Sequence, residues 1–318
     1  MPSWRALVDL VRAPAALSVP GDVVAGAAAA GTLRPRTAGL AAASVCLYWA
    51  GMAANDWADR ELDAVERPER PIPSGRVTPA QAAGVAAGLT AAGVGLAALA
   101  GGKRALTVAL PLAGTVWAYD LAAKNTPAGP ALMAACRGLD VLLGATPGRV
   151  GRAVPAALTV AAHTYTVTAL SRREVSGADR ALPAATLAGT AAVALAAASR
   201  RGAVSVSAPP SADGHQAEGA QRLAVCRAAI RRASRPSATR AIGIALAAWY
   251  AARYGSAQAR VAAEPTAARV RAAVGAGITG LPPLQGALAA RAGAPAAGLA
   301  VAAAAPLARH LARKVSPT

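Results

Sequence analysis

The sequence predicts an all-α membrane protein, a polytopic bundle of transmembrane helices. Hydrophobic residues make up 55% of its 318 residues, charged residues only 15%, and the mean hydropathy is +0.38. Apolar stretches near the ~20 residues that a bilayer span requires recur along most of the chain. Alanine and glycine are abundant, and small residues allow transmembrane helices to pack closely.

Ten apolar stretches are candidate spans. They lie at 15–31, 37–54, 80–101, 104–123, 129–147, 153–170, 181–199, 238–255, 267–290 and 292–308. Only Arg291 separates the last two, so the sequence predicts nine or ten spans. The stretch 238–255 is the weakest, because alanine is only weakly hydrophobic. A single membrane domain, residues 1–318, accounts for the chain. Charged residues before a full-length first span argue against a cleavable signal peptide.

The segment 200–237 interrupts this pattern. Residues 205–219 are rich in Ser, Pro, Ala and Gly, which predicts a flexible loop. Residues 220–236 place arginines among Leu and Ala, which predicts a basic amphipathic helix on the membrane surface. We assign no chemistry to either part.

The chain is strongly basic, with a formal net charge of +18. A basic chain can bind nucleic acid, but these arginines lie mostly between apolar spans rather than on a soluble face. We therefore expect them to anchor helix ends and contact anionic membrane lipid, and we expect no nucleic-acid partner.

The cysteines and histidines show no spacing typical of a metal or disulfide site. Cys46, Cys136 and Cys226 are interpreted as ordinary core or surface residues. His163 falls inside a span, where a hydrogen-bonded structural role is expected.

The most informative polar segment is NDWADRELD, residues 55–63, directly after the second span. A helix that continues past Ala54 stacks Asn55, Asp59 and Asp63 on one face, with Asp56 beside them. Carboxylates this close repel one another. Mg²⁺ would remove that repulsion, because it binds carboxylate oxygens together with water and substrate phosphates. The segment predicts a metal-bridged phosphate or diphosphate site; the alternative is a solvated acidic helix end.

Residues 55–75 resemble the first motif of the UbiA superfamily of intramembrane prenyltransferases. That motif reads N-D-x-x-D-x-x-x-D, then R-P-x-R-P-[I/L]-x-x-G, and about twenty consecutive residues follow it here. The matched positions are Asn55, Asp56, Asp59, Asp63, Arg67, Pro68, Arg70, Pro71, Ile72 and Gly75. The resemblance implies catalytic roles for Asp56, Asp59 and Asp63. It further implies metal ligation by Asn55, Asp59 and Asp63, and diphosphate binding by Arg67 and Arg70.

The end of the fourth span carries a second candidate element, Tyr119 to Lys124. The family often has an aromatic residue followed by a lysine here. Lys124 would hold the diphosphate as a point charge, and Tyr119 would line the cavity. The alternatives are a lysine that reaches the interface beside an interfacial tyrosine, and an i,i+4 ion pair between Asp120 and Lys124.

Arg137 and Asp140 form a third element, within the fifth span. They are three residues apart, so they can pair on one helix face. Ionisable residues inside a span are costly and usually face a cavity or a partner. The two interpretations are a lining of the substrate cavity and a structural ion pair that holds the bundle together.

The stretch 171–179 departs from the family's second acidic motif, which follows the sixth span. Ser171 replaces the first acid, Glu174 stands for the second, and the third is displaced to Asp179. Glu174 is therefore the expected ligand of the second metal. Arg172 and Arg173 would contact the diphosphate and replace part of a metal's role. Either this modified site works, or the second metal site is lost.

Loop parity places the three functional loops on one side of the membrane. Residues 55–79, 120–128 and 171–180 follow even-numbered spans, so they converge on one face. The resemblance implies that this face is cytoplasmic and that the chain is an integral protein of the cell membrane.

The resemblance implies a Mg²⁺-dependent prenyltransferase. It would move a polyprenyl group from an allylic diphosphate to a small acceptor, usually aromatic in this family. The alternative is a catalytically silent family member that binds or handles isoprenoid lipid. A secondary transporter is less favoured, because the chain shows neither an inverted repeat nor a matched pair of broken spans.

Overall fold

The computed structural model describes residues 2–199 and 238–315, in which helices are joined by loops and no β-strand occurs. The helices are α1 (Trp4–Leu10), α2 (Val19–Ala30), α3 (Arg36–Ala58), α4 (Arg60–Glu66), α5 (Pro79–Ala118), α6 (Gly129–Ala145), α7 (Val154–Ser171), α8 (Ala181–Ala198), α9 (Ala238–Tyr250), α10 (Ser256–Ala263), α11 (Ala267–Arg291) and α12 (Pro295–Val315). The all-α prediction is confirmed. The predictions made for 200–237 lie outside the described residues.

Helix α5 is a hairpin of two arms rather than one long rod. Gly102 interrupts it with φ 65° and ψ −158°, a conformation that glycine tolerates. Trp117 Nε1 donates a hydrogen bond to Thr90 Oγ1 at 3.1 Å. In a straight helix, 27 residues would separate these side chains by ~40 Å. The two arms therefore lie antiparallel, and they correspond to the predicted spans 80–101 and 104–123.

Four helical segments of the described chain are long and apolar enough to cross a membrane. They are Arg36–Ala58, Pro79–Ala123, Val150–Ser171 and Ala181–Ala198. The chain is thus an integral membrane protein, but the predicted nine or ten spans are not confirmed. Val19–Ala30 is apolar but short, and a π-helical segment, Ala251–Gly255, separates α9 from α10.

Helices α2 and α6 pack backbone against backbone. A side chain at Gly26 would collide with the carbonyl oxygen of Val141, and one at Gly144 would collide with that of Val23. The contact is reciprocal, so each helix needs a glycine where the other approaches. Small residues serve the same purpose generally in membrane bundles.

A small core supports the segment between α4 and α5. Ile72 and Val77 are buried against Leu10 of α1 and Ala53 of α3. Gly75 turns the chain with φ 73°, in the left-handed region that glycine favours. This packing holds the arginine–proline segment, residues 67–75, over the end of α3.

His163 lies in a buried cluster in the second half of the chain. Its Nδ1 is 2.9 Å from the Tyr250 hydroxyl, and Tyr254 donates to Thr166 Oγ1 at 3.3 Å. The expected structural role of His163 is confirmed. Cys136 is buried as a free thiol, while Cys226 lies outside the described residues.

Candidate active site

The end of α3 presents the acidic motif. The helix ends at Ala58, and Asp59 (φ −90°, ψ 4°) separates it from α4. The prediction of one uninterrupted helix through Asp63 is therefore wrong. Hydrogen bonds from Asp59 N to Asn55 O (3.0 Å) and from Asp63 N to Asp59 O (2.8 Å) nevertheless preserve the i,i+4 spacing across the break. The acids consequently remain on one side of the chain.

Arg70 bridges two of these acids. Its Nη1 lies 2.5 Å from Asp63 Oδ2 and 3.3 Å from Asp56 Oδ1. Both carboxylates are buried, and a buried charge is tolerated only when it is paired. Arg67 lies at the edge of this group, with its Nη1 4.0 Å from Asp63 Oδ1. The first motif and the arginine–proline segment thus form one charge cluster.

Arg12 is a further member of the cluster that the sequence analysis missed. Its Nη2 lies 2.7 Å from Asp56 Oδ1, 44 residues along the chain. Among the described non-glycine residues, Arg12 is the one with positive φ, at 46°. Such a conformation is costly and tends to occur at functional sites. The only available signal was a charge directly before the first apolar span.

Lys124 brings the second loop to the same place. Its Nζ lies 2.6 Å from Asp59 Oδ1, while Asp120 Oδ1 accepts a hydrogen bond from Asn55 Nδ2 at 3.4 Å. The ion pair of Lys124 is therefore with Asp59 rather than with Asp120. Residues Tyr119–Ala123 form a π-helical turn, so side chains four apart no longer stack as in an α-helix.

The third loop joins through Arg172. Its Nη1 donates to the carbonyl oxygens of Thr126 at 2.6 Å and Lys124 at 3.4 Å. The predicted convergence of three loops is confirmed by these contacts together with the Lys124–Asp59 pair. Arg172 clamps the second loop here, and Arg173 is exposed on the same loop.

The acids of the third loop have separate surroundings. Asp179 Oδ1 accepts a hydrogen bond from Leu182 N at 2.9 Å, which caps the start of α8. Arg271 donates to the Glu174 carbonyl oxygen at 2.8 Å. Burial raises the pKa of the Glu174 carboxyl, and the charge of Arg271 opposes that rise.

No group of three or more His, Cys, Asp or Glu side chains is arranged to hold a metal within 2–199 and 238–315. The donor chemistry of the first motif nevertheless fits Mg²⁺, which prefers carboxylate and amide oxygens. Arg12, Arg70 and Lys124 currently neutralise those carboxylates. Metal ligation by Asn55, Asp59, Asp63 and Glu174 stays a prediction.

A cavity opens beneath this cluster, between α3, the second arm of α5 and α6. Its free volume is ≈ 60 Å³, smaller than the pockets that usually hold small ligands. The wall includes Tyr119, Arg137 and Asp140, the three residues predicted to line a cavity. Most of the remaining wall is apolar.

Arg137 and Asp140 have different partners. Arg137 Nε lies 2.8 Å from Asp22 Oδ2, whereas Asp140 Oδ1 accepts a hydrogen bond from Ser44 Oγ at 2.6 Å. The predicted pairing of the two with each other is therefore corrected. Gln285 Nε2 donates to Asp22 Oδ1 at 2.6 Å. The sequence analysis missed Asp22, although an acid in an apolar span was an available signal.

Comparison with known proteins agrees with this geometry. Residues 18–171 match the sequence profile of the UbiA prenyltransferase family. The match covers the acidic motif and every cavity-lining residue, and it ends at Ser171, where the second acidic stretch begins.

Two curated relatives, both named as synthases, are similar in sequence to part of this chain. Digeranylgeranylglyceryl phosphate synthase of Methanopyrus kandleri is 39% identical over 153 residues, which is 46% of this chain and 54% of that protein. The chloroplastic chlorophyll synthase of rice, Oryza sativa, is 32% identical over 103 residues, 30% of this chain and 27% of that protein. The chain thus spans about half of the first relative's length.

A solved structure supports the fold. The apo structure of a UbiA homologue from Aeropyrum pernix superposes with a TM-score of 0.57 at 20% identity, over 86% of this chain and 96% of that one. At this identity the likeness concerns the fold alone. Residues 18–171, which carry the motif and the cavity, are thus similar to the UbiA prenyltransferase family, and the fold of the chain resembles that of a solved UbiA homologue.

Proposed function

We propose that the chain is a Mg²⁺-dependent intramembrane prenyltransferase, which moves a polyprenyl group from an allylic diphosphate to a small nucleophilic acceptor. The charge arrangement along the cavity carries the proposal. Arg12, Arg70 and Lys124 lie beside the first-motif acids at the outer end of the cavity, which we call the mouth. Mostly apolar walls lead inward from it. Such a site suits a substrate with an anionic head and a hydrocarbon chain.

The mouth is suited to the leaving group. Breaking the C1–O bond of an allylic diphosphate sends both electrons to the diphosphate, so its growing charge must be stabilised. Mg²⁺ held by Asn55, Asp59 and Asp63 would supply part of that neutralisation when bound. Lys124 and Arg70 already lie against these acids and would contact the diphosphate oxygens. Arg67, Arg172 and Arg173 would extend the basic rim.

The cavity is suited to the cation that remains. Its wall is largely apolar, and with a bound substrate it would keep out the water that could otherwise capture the allylic cation. Tyr119 and Asp120 lie where the cavity meets the mouth, and aromatic faces and carboxylates attract positive charge. The acceptor then forms a bond to C1 and loses a proton.

The site restricts the chemistry of the acceptor less than that of the donor. The resemblance to the family favoured an aromatic acceptor, whereas the relatives' names refer to a glyceryl phosphate lipid and to chlorophyll. We therefore propose a nucleophilic acceptor without restricting it to simple aromatics. The motif loops would face the cytoplasm in the cell membrane.

A specific observation favours a second function, the binding of an isoprenoid lipid without catalysis. Asp56, Asp59 and Asp63 are each paired with an arginine or lysine of this chain, and Asp179 caps a helix. A silent member needs no metal at these positions.

Product formation separates the two functions. Purified protein in nanodiscs is incubated with a prenyl diphosphate, Mg²⁺ and an acceptor panel, and products are detected by mass spectrometry. We expect a prenylated product that Asp59→Asn abolishes. Donor binding without any product or diphosphate release would establish the silent function instead.

A further inference from the structure

We propose that the acceptor carries an uncharged, hydrogen-bond-donating group at its buried end, and that a carboxylate or phosphate at that end is rejected. This inference rests on the proposed function and specifies its acceptor. It follows from the polar groups at the inner end of the cavity.

Those groups lie well below the mouth. Ser44 precedes Asn55 by eleven residues on α3, which is ~16 Å along a helix axis. Ser44 donates to Asp140 Oδ1 at 2.6 Å, and both residues line the cavity. Tyr48 lines it one turn closer to the mouth. An acceptor bound along these lining residues would therefore have one end against Asp140 and the other towards the first motif.

Among the described residues at the inner end, the positive charge is paired. Arg137 is the only cation among the described residues that line the cavity. Its Nε lies 2.8 Å from Asp22 Oδ2, and its Nη2 donates to Ser18 O at 3.2 Å. Gln285 donates to the same two residues, which fixes Asp22 behind the guanidinium.

The charges at this end sum to −1 when Asp22, Arg137 and Asp140 are all ionised. A single bound proton brings the sum to zero. As long as Asp22 stays ionised and paired with Arg137, neither state leaves a spare cation for an anionic ligand, and burying an unpaired anion is costly. A hydroxyl or amide N–H, in contrast, finds an acceptor in Asp140.

The mouth has the opposite character. Arg12, Arg70 and Lys124 gather there, so anionic groups belong at the outer end of the site. An acceptor with a phosphate is therefore compatible with this account only if its phosphate stays at the mouth.

Two matched probes test the proposal, 3-phenylpropanol and 3-phenylpropanoate, which differ in the charge of one end. Binding to purified protein in nanodiscs is measured by calorimetry, with empty nanodiscs subtracted. Inorganic diphosphate and Mg²⁺ are present to occupy the basic groups of the mouth. We expect the alcohol to bind at least about tenfold more tightly than the carboxylate. Equal binding, or tighter binding of the carboxylate, would overturn the proposal.

Substitutions test which residue causes the difference in binding between the two probes. Asp140→Asn removes the negative charge from the inner end, so the ratio between the probes should fall towards one. Asp179→Asn, the same substitution at a helix cap outside the cavity, should leave the ratio unchanged. If Asp140→Asn does not fold, Asp22→Asn replaces it: it exposes the charge of Arg137 and should strengthen carboxylate binding. An unchanged ratio in the folded variant would contradict the assignment.

The test is independent of catalysis. The probes are bound without a prenyl donor, whereas the proposed function is judged by product formation and diphosphate release. Either measurement can fail alone, so the two claims remain distinguishable.

Discussion

Lys124 Nζ lies 2.6 Å from Asp59 Oδ1, and this ion pair joins the π-helical turn after α5 to the break between α3 and α4. Both residues are mostly shielded from solvent. The pair therefore brings the acidic motif and a lysine from a separate loop to the same point above the cavity.

Asp59→Asn should remove most activity and leave the fold intact. The substitution keeps the shape of the side chain but removes the charge that faces Lys124 and the expected metal. We expect Mg²⁺-dependent diphosphate release to fall at least about 100-fold, as for other lost transition-state electrostatics. Thermal unfolding in detergent should shift little, because the asparagine oxygen can still accept a hydrogen bond from Lys124. Activity near the wild-type level would remove Asp59 from the site.

Arg12→Gly should lower activity without lowering thermal stability. Glycine relieves the positive-φ conformation at this position, so the backbone loses strain while Asp56 loses one partner. We expect turnover to fall about tenfold or more, with thermal stability close to wild type because Arg70 still pairs with Asp56. Arg5→Gly on the exposed side of α1 is the control and should retain activity. Unchanged turnover in Arg12→Gly would mean that Arg12 only closes the resting site.

Glu174→Gln tests the second acidic stretch. Because burial raises the pKa of Glu174, ionisation lowers stability as pH rises past its ordinary value, and glutamine removes that loss. The variant should therefore be at least as stable as wild type at pH 7. We expect a higher Mg²⁺ concentration for half-maximal diphosphate release.

Asp179→Asn is the matched control for Glu174, because asparagine caps a helix as well as aspartate does. It should change neither stability nor the Mg²⁺ requirement. If it raises that requirement while Glu174→Gln does not, the two acids have been assigned the wrong way round.

Gly144→Ala should destabilise the bundle. The added methyl group meets the carbonyl oxygen of Val23, so α2 and α6 must separate. Overpacking of this kind costs about 1–3 kcal/mol. Gly95→Ala, on α5 with open space around it, should leave the unfolding temperature nearly unchanged. Equal stability of both variants would show that the α2–α6 contact can relax.

The sequence predicted those parts of the site that lie within one stretch of chain or repeat a known spacing. The acids of residues 55–63, the arginines of residues 67–75 and Lys124 all fall at one end of the bundle, as loop parity required. The helical class followed from composition, because an apolar chain must satisfy its backbone hydrogen bonds internally.

The sequence could not predict partners that meet only through packing. Arg12 reaches Asp56 because α1 folds back over α3, and Asp22 reaches Arg137 because two glycines bring α2 against α6. Spacing along one helix suggested Asp140 for Arg137 and Asp120 for Lys124. In both cases the observed partner was an acid from a distant part of the chain, Asp22 or Asp59, since tertiary packing decides among candidates that local spacing leaves equal.

The most direct test of the account is diphosphate release by the purified protein in nanodiscs, from allylic diphosphates of several chain lengths, with and without Mg²⁺. Donor binding is measured in parallel on protein shown to be folded. We expect release that requires Mg²⁺, favours particular chain lengths and is lost in Asp59→Asn. Folded protein that binds the donors but releases no diphosphate from any of them would contradict the enzymatic assignment.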